Sequence, residues 1–152
     1  METTEFLRRA LGEGGFYCVF ASRSADDRRT QKFYDSIDAV IENAHKFDEQ
    51  GFDTYFALAT FHDAGSRKVD NVKQLRAFFL DLDFCGKVSL PRPLMINSGR
   101  GIHVYWMLKE AVDLETWLPV AEKLKRLCVK HNFLADPAVT ADAARVFRVP
   151  ET

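Results

Sequence analysis

The chain has only three cysteines, Cys18, Cys85 and Cys128, in 152 residues. They stand far apart, so they form no CxxC zinc pattern, and an odd number completes no disulfide framework. That usage fits a reducing cytoplasm. Long apolar runs are missing: none approaches the roughly 18 residues of a membrane-spanning helix, so no membrane partner is expected. The opening, Met-Glu-Thr-Thr-Glu-Phe-Leu-Arg-Arg, is acidic and mixed, unlike a signal peptide. Surplus charge of one sign is absent, with 21 Lys and Arg against 22 Asp and Glu. This weighs against a pure nucleic-acid-binding module, but not against an enzyme whose metal ions supply positive charge. His45, His62, His103 and His131 include no closely spaced pair, which weighs against a strand-nicking enzyme that holds one metal between such residues. Repeats and low-complexity segments are absent as well.

What is present describes one domain, residues 1–152, with 47% apolar and 28% charged residues. The chain stops after Pro150-Glu151-Thr152 without a polar tail, which leads to the expectation of an N-terminal part of a longer protein. Phe16 to Ala21 reads as a strand after Gly14-Gly15. Ser22 to Lys32 is polar and reads as a loop. Asp35 or Ser36 can cap a helix through Gln50, ended by Gly51, with Ile37, Val40, Ile41 and Ala44 as its apolar stripe. Thr54 to Phe61 alternates and reads as one strand. Asp113 to His131 reads as a helix that Pro119 kinks or starts late. Strands alternating with helices give an α/β (α+β) class with a mixed sheet flanked by helices.

Residues 78–84, Phe-Phe-Leu-Asp-Leu-Asp-Phe, are the most informative stretch. On a strand, Phe78, Leu80, Leu82 and Phe84 point into a core, and Asp81 and Asp83 share the other face. Two carboxylates side by side on so apolar a strand repel each other and lose hydration. A divalent cation offsets this, and Mg²⁺ and Mn²⁺ prefer oxygen ligands.

A second stretch is Ser98-Gly99-Arg100-Gly101-Ile102-His103-Val104-Tyr105-Trp106. Its glycines allow close approach of a ligand to the backbone. His103 can donate to a phosphate oxygen and Arg100 can hold phosphate through a fork of donors. Tyr105 shares the face of His103 and could pack under a base or sugar. Asp136 offers a third carboxylate from a distant segment, with Asp142 as its competitor. Arg145 and Arg148 add positive charge; they share a face on a helical turn but oppose on a strand.

The ordered set resembles the archaeo-eukaryotic primase superfamily, in particular the primase-polymerase domains of phages, plasmids and integrated elements. Leu80-Asp81-Leu82-Asp83 resembles its first motif and Ser98 to His103 its second. Asp136 resembles the third, and Ala144 to Pro150 the segment that follows. The match runs from about Arg67 to the end. Family members often read Pro-Gly-Thr where this chain has Pro150-Glu151-Thr152. The resemblance implies the archaeo-eukaryotic primase fold with an RRM-like sheet, and template-directed nucleotidyl transfer by a DNA primase/DNA polymerase. It implies two Mg²⁺ or Mn²⁺ ions on Asp81, Asp83 and Asp136, with His103 on the triphosphate of an NTP or dNTP. Ser98, Arg100, Gly101, Arg145 and Arg148 would complete the nucleotide site. Arg67 and Lys68 could reach the triphosphate or template. The implied partners are a single-stranded DNA template and primer, and a helicase domain downstream in the same chain. The implied setting is the cytoplasm of a prokaryotic host. Such domains often need a further helical segment to start primers, so this chain is expected to extend primers and initiate poorly.

Other readings stay open on the residues alone. A non-catalytic single-stranded nucleic-acid-binding domain of related fold needs no metal, but the chain lacks the paired-aromatic signature of RNP type. A metal-dependent phosphohydrolase would share the carboxylates and differ in releasing hydrolysis products.

Overall fold

A computed structural model describes residues 1–82, 93–99, 101–133 and 135–152. Its strands form two four-stranded sheets packed against each other. One sheet has the order β2-β1-β3-β8, built from β1 (Tyr17–Arg23), β2 (Arg28–Tyr34), β3 (Asp53–Ala57) and β8 (Val146–Arg148). The other has the order β4-β5-β7-β6, from β4 (Ala59–Phe61), β5 (Val72–Leu82), β6 (Leu94–Asn97) and β7 (Ile102–Val112). Helices α1 (Thr3–Leu11), α2 (Ile37–Glu49), α3 (Leu114–Lys130) and the short α4 (Pro137–Thr140) flank them. The α+β class expected from the sequence is what the structure shows. Every strand pairing among the described residues is antiparallel, so the mixed sheet of the expectation resolves into two antiparallel ones.

The two sheets exchange the chain at one residue. The segment 54–61, expected as a single strand, is broken at Leu58, whose N–H donates to Arg145 C=O at 3.0 Å. Before it the chain belongs to the first sheet and after it to the second. Burial on both sides hides this break, because residues 56–61 are all buried. The polar segment expected as a loop is likewise half strand. Arg28 to Tyr34 pairs with β1 as an edge strand whose side chains mostly face water, so it shows no apolar alternation. The turn before it places Asp27 at φ 53, a conformation that aspartate tolerates.

Local signals place the helices. Ser36 Oγ accepts from Ala39 N–H and starts α2. Asp113 Oδ1 accepts from Thr116 N–H at 2.8 Å and starts α3, which then runs through Pro119 without a late start.

Strand β5 is covered on both faces, which explains its nearly continuous apolar run. Ala77 and Phe79 enter the main core with Phe6, Tyr105, Phe147 and Phe56. Leu80 and Leu82 enter a second cluster with Val104 and Cys128 of α3. Asp81 therefore follows Phe79 on the face between the sheets, where it is partly exposed at the end of the main core. Phe84 and Cys85 lie outside the described residues.

Trp117 pins α3 to β5. Its indole N–H donates to Ala77 C=O at 2.8 Å, and its ring stacks on Phe78 at 5.8 Å and 8°. Trp117→Phe leaves a buried carbonyl short of a donor and a partial void. It should cost about 2 kcal/mol in urea unfolding, against about 1 kcal/mol for loss of the cap in Asp113→Ala. Equal costs would contradict this anchoring role.

Candidate active site

Strand pairing sets the first contact. Asp81 of β5 lies directly opposite His103 of β7, and His103 lies opposite Ile96 of β6. Directly paired residues share a face, so the carboxylate and the imidazole meet. Asp81 Oδ1 and His103 Nε2 are 3.8 Å apart, too far for a hydrogen bond. The imidazole is 7% exposed and stacks on the Phe147 ring at 3.9 Å and 11°. Burial pushes its pKa down to about 4, and the Arg145 guanidinium adds to the effect. His103 is thus neutral near pH 7, and the pair is a carboxylate beside a neutral ring rather than an ion pair. Nδ1 is buried with no hydrogen-bond partner among the described residues. Nε2 is the ring nitrogen nearer Asp81 and the cleft.

Tyr105, two residues along β7, does not face the cleft. It is buried in the main core, edge-on to Phe6 and Phe147, which overturns the expectation that it packs under a nucleotide. Burial raises its pKa well above the usual value, with the Asp81 charge adding to this.

Asp136 comes next to Asp81 through the backbone. Its N–H donates to Asp81 C=O at 2.9 Å, and Ala135 bridges Leu82 as a single antiparallel pair. Asp136 Oδ1 accepts from Ala138 N–H at 2.9 Å and caps α4. Asp142 sits elsewhere. Its Oδ1 accepts from Ala144 N–H at 3.0 Å, and it lines a neighbouring groove with Arg145, 4.0 Å from that guanidinium. Of the two acids weighed for the third position, Asp136 is the one beside Asp81. Asp83 and Arg100 lie outside the described residues.

A cleft of about 560 Å³ opens over this pair, lined by Asp81, His103, Ser98, Gly101 and Arg148. The turn that delivers Ser98 and Gly101 is closed by Ser98 N–H to Gly101 C=O at 2.9 Å and Gly101 N–H to Ser98 Oγ at 3.1 Å. Gly99 within it has φ 85, which glycine adopts without strain. Arg148 is held by Asp53 Oδ1 at 3.1 Å and Thr152 C=O at 3.0 Å. Its segment is a strand, and the two arginines part: Arg148 lines the cleft, while Arg145 lines the adjoining groove. Arg67 is fastened to Ala144 C=O and to Gln31 Oε1, and Lys68 is exposed. No motif marks Ser22, Asp53 and Tyr55, which also line the cleft. They come from β1 and β3, and only the packing of the two sheets brings them there.

Beside the cleft, a cavity of about 350 Å³ is lined by His103, Ser98, Arg148 and Glu151. Glu151 has φ 64, in the left-handed region that favours glycine. Thr3 Oγ1 donates to Glu151 Oε2 at 2.8 Å and helps to hold it there.

The donor chemistry fits a divalent cation. Asp81 is partly exposed at the cleft and offers the hard oxygen ligand that Mg²⁺ and Mn²⁺ take, and Asp136 stands on the neighbouring backbone. Among the described residues, no group of three His, Cys, Asp or Glu side chains is gathered closely enough to hold an ion. No helix among the described residues is long and apolar enough to cross a membrane.

No protein-family model matches the chain, and no curated protein matches it. Solved structures do. The AEP domain of the cyanophage S-2L primase-polymerase superposes with a TM-score of 0.62 at 22% identity, over 89% of this chain and 72% of that one. The catalytic domain of primase RepB′ in complex with initiator DNA gives 0.59 at 16% identity, over 97% of this chain and 73% of that one. A longer structure of primase RepB′ gives 0.58 at 17% identity, and this chain spans 49% of it. These likenesses are of architecture, and they show that the chain has the archaeo-eukaryotic primase fold.

Proposed function

We propose that the chain is a template-directed nucleotidyltransferase, a DNA primase/DNA polymerase that adds an NTP or dNTP to a primer on a single-stranded DNA template. The observation that carries this reading is the Asp136 N–H to Asp81 C=O bond. It joins the backbones of two acids from segments 55 positions apart (136 against 81), and Asp81 lies directly across from His103. The primase architecture of the similar solved structures supports it.

Asp81 and Asp136, with Asp83, would hold Mg²⁺ or Mn²⁺. Bound there, such ions lower the pKa of a primer 3′-hydroxyl and neutralise a leaving pyrophosphate. The protein's own work is positioning and charge. Neutral His103 donates from Nε2 to a phosphate oxygen, and its stacking on Phe147 fixes the direction of that bond. Arg148, braced by Asp53, supplies a cation at the same wall of the cleft. Arg100 and the Ser98–Gly101 turn would hold the triphosphate. Arg145 acts at one remove, through its charge on His103. The setting of this activity would be genome or plasmid replication.

Primer extension with a labelled primer, template, dNTPs or NTPs and Mg²⁺ or Mn²⁺ tests the reading. Asp81→Asn and Asp136→Asn keep shape and, at 136, the cap. Each should lower extension at least about a hundredfold. Full extension by either variant would sink the assignment, and release of hydrolysed nucleotide without incorporation would favour a phosphohydrolase.

The neutral His103 has a stability consequence in metal-free protein. Its folded pKa lies below the unfolded value of about 6.5, so between pH 6.5 and 4 the unfolded chain binds more protons. The contribution is present above pH 6.5 and lost as pH falls through this window. Wild type should therefore lose up to about 3 kcal/mol more than His103→Phe on acidification across it. Parallel pH curves for the two proteins in urea unfolding would disprove a neutral buried imidazole.

A further inference from the structure

The groove beside the cleft holds a feature that nucleotide chemistry does not use. Strand register aligns Gln31, Phe20, Tyr55 and Arg148 as cross-strand neighbours in one row over β2, β1, β3 and β8. Three inter-strand spacings make this row about 14 Å long. Val19 and Phe56, the chain neighbours of Phe20 and Tyr55, are buried in the main core. Alternation therefore turns Phe20 and Tyr55 to the opposite face, where both are only half-buried. Their ring centroids are 6.0 Å apart, tilted by 49°.

This row leads to the candidate active site. Phe20 and Tyr55 line a groove of about 410 Å³ together with Arg67 and Arg145. Ser22 and Tyr55 line both that groove and the cleft that holds Asp81 and His103. Arg148 ends the row inside the cleft. The acids here stand near arginines: Asp142 lies 4.0 Å from Arg145 and Asp53 3.1 Å from Arg148. The groove is thus weakly cationic, with two half-exposed rings as its floor.

We propose that this face is a stacking platform for single-stranded nucleic acid, on which Phe20 and Tyr55 each take one base of the strand that continues into the cleft. Exposed rings accept any base whose π-face is free, and a paired duplex offers none along its length. With few unpaired cations, stacking rather than phosphate contact dominates the affinity. Binding therefore tolerates sequence and depends only shallowly on salt, since the slope follows the number of phosphates neutralised. The inference rests on the polymerase reading for the strand's identity as template, but the binding itself requires neither metal nor nucleotide.

The test is fluorescence anisotropy of the chain with a labelled mixed-sequence single strand, in EDTA and without nucleotide. Phe20→Leu and Tyr55→Leu keep apolar volume and remove the π-face. Each should weaken binding about tenfold, while Tyr55→Phe keeps the wild-type affinity and a duplex of the same sequence binds more weakly. In the wild type, a bromodeoxyuridine strand should photocrosslink to the peptides that carry Phe20 or Tyr55, a readout that does not depend on any variant folding. Unchanged affinity in both folded leucine variants, equal binding of duplex, or crosslinks that all map elsewhere would overturn the platform. Primer extension run in parallel separates the two readings. Ring-dependent strand binding without nucleotide incorporation keeps the platform and removes the polymerase. Extension by a wild type whose leucine variants bind normally does the reverse.

Discussion

The Phe147 ring joins the two sheets, and the candidate site depends on it. It belongs to β8 of the first sheet, yet it stacks on His103 at 3.9 Å and meets Phe79 and Tyr105 edge-on at 5.4 and 5.6 Å, all three in the second sheet. Without this seam the first sheet would bring neither Arg148 nor Tyr55 against Asp81 and His103. The residue after the ring, Arg148, turns to the opposite face and enters the cleft. One strand of three residues thus contributes a core anchor and a cleft cation through nothing more than the two-residue period of a strand.

The same seam fixes the electrostatics. A face that is dry enough to bury Phe79 and Tyr105 is also dry enough to keep His103 neutral, and Arg145 adds a repulsion that the 3.8 Å approach of Asp81 does not reverse. Hence the imidazole beside Asp81 carries no charge near pH 7. A protonated His103 would compete with a cation for Asp81. Tyr105 closes the arrangement from below, since burial and the Asp81 charge both disfavour its ionisation.

Local patterns in the sequence reached the parts of this site that lie on a single strand or turn. The alternation around Leu80, Asp81 and Leu82 and the glycine turn before His103 are properties of neighbouring residues, so they were legible. Asp136 was placed ahead of Asp142 by motif order, but its contact with the backbone of β5 is a tertiary fact carried by one N–H. The face of Asp81, opposite Leu80 and Leu82, was legible, but what that face borders was not. Apolar residues on both faces of β5 mean that a carboxylate on either face borders a core, and the period of two cannot say which core is open at its end. The edge strand at Arg28 to Tyr34 was unreadable because solvent covers most of it and removes the apolar alternation.

Paired aromatics illustrate the limit most clearly. The chain lacks the paired-aromatic signature of RNP type, which counts against a nucleic-acid-binding surface when the chain is read linearly. Phe20 and Tyr55 become neighbours only through the antiparallel register of β1 and β3, at 35 positions' separation by number. The catalytic and strand-binding readings therefore draw on different levels of organisation. The acids and histidine are specified by motif, whereas the platform is specified by register, and the two meet where Tyr55 lies opposite Arg148. A surface built by register tolerates sequence change at either ring as long as a flat apolar group remains. On the catalytic reading the two acids have no such freedom, because charge, oxygen ligands and backbone position must coincide. The stricter requirement is the one that left a readable mark in the sequence.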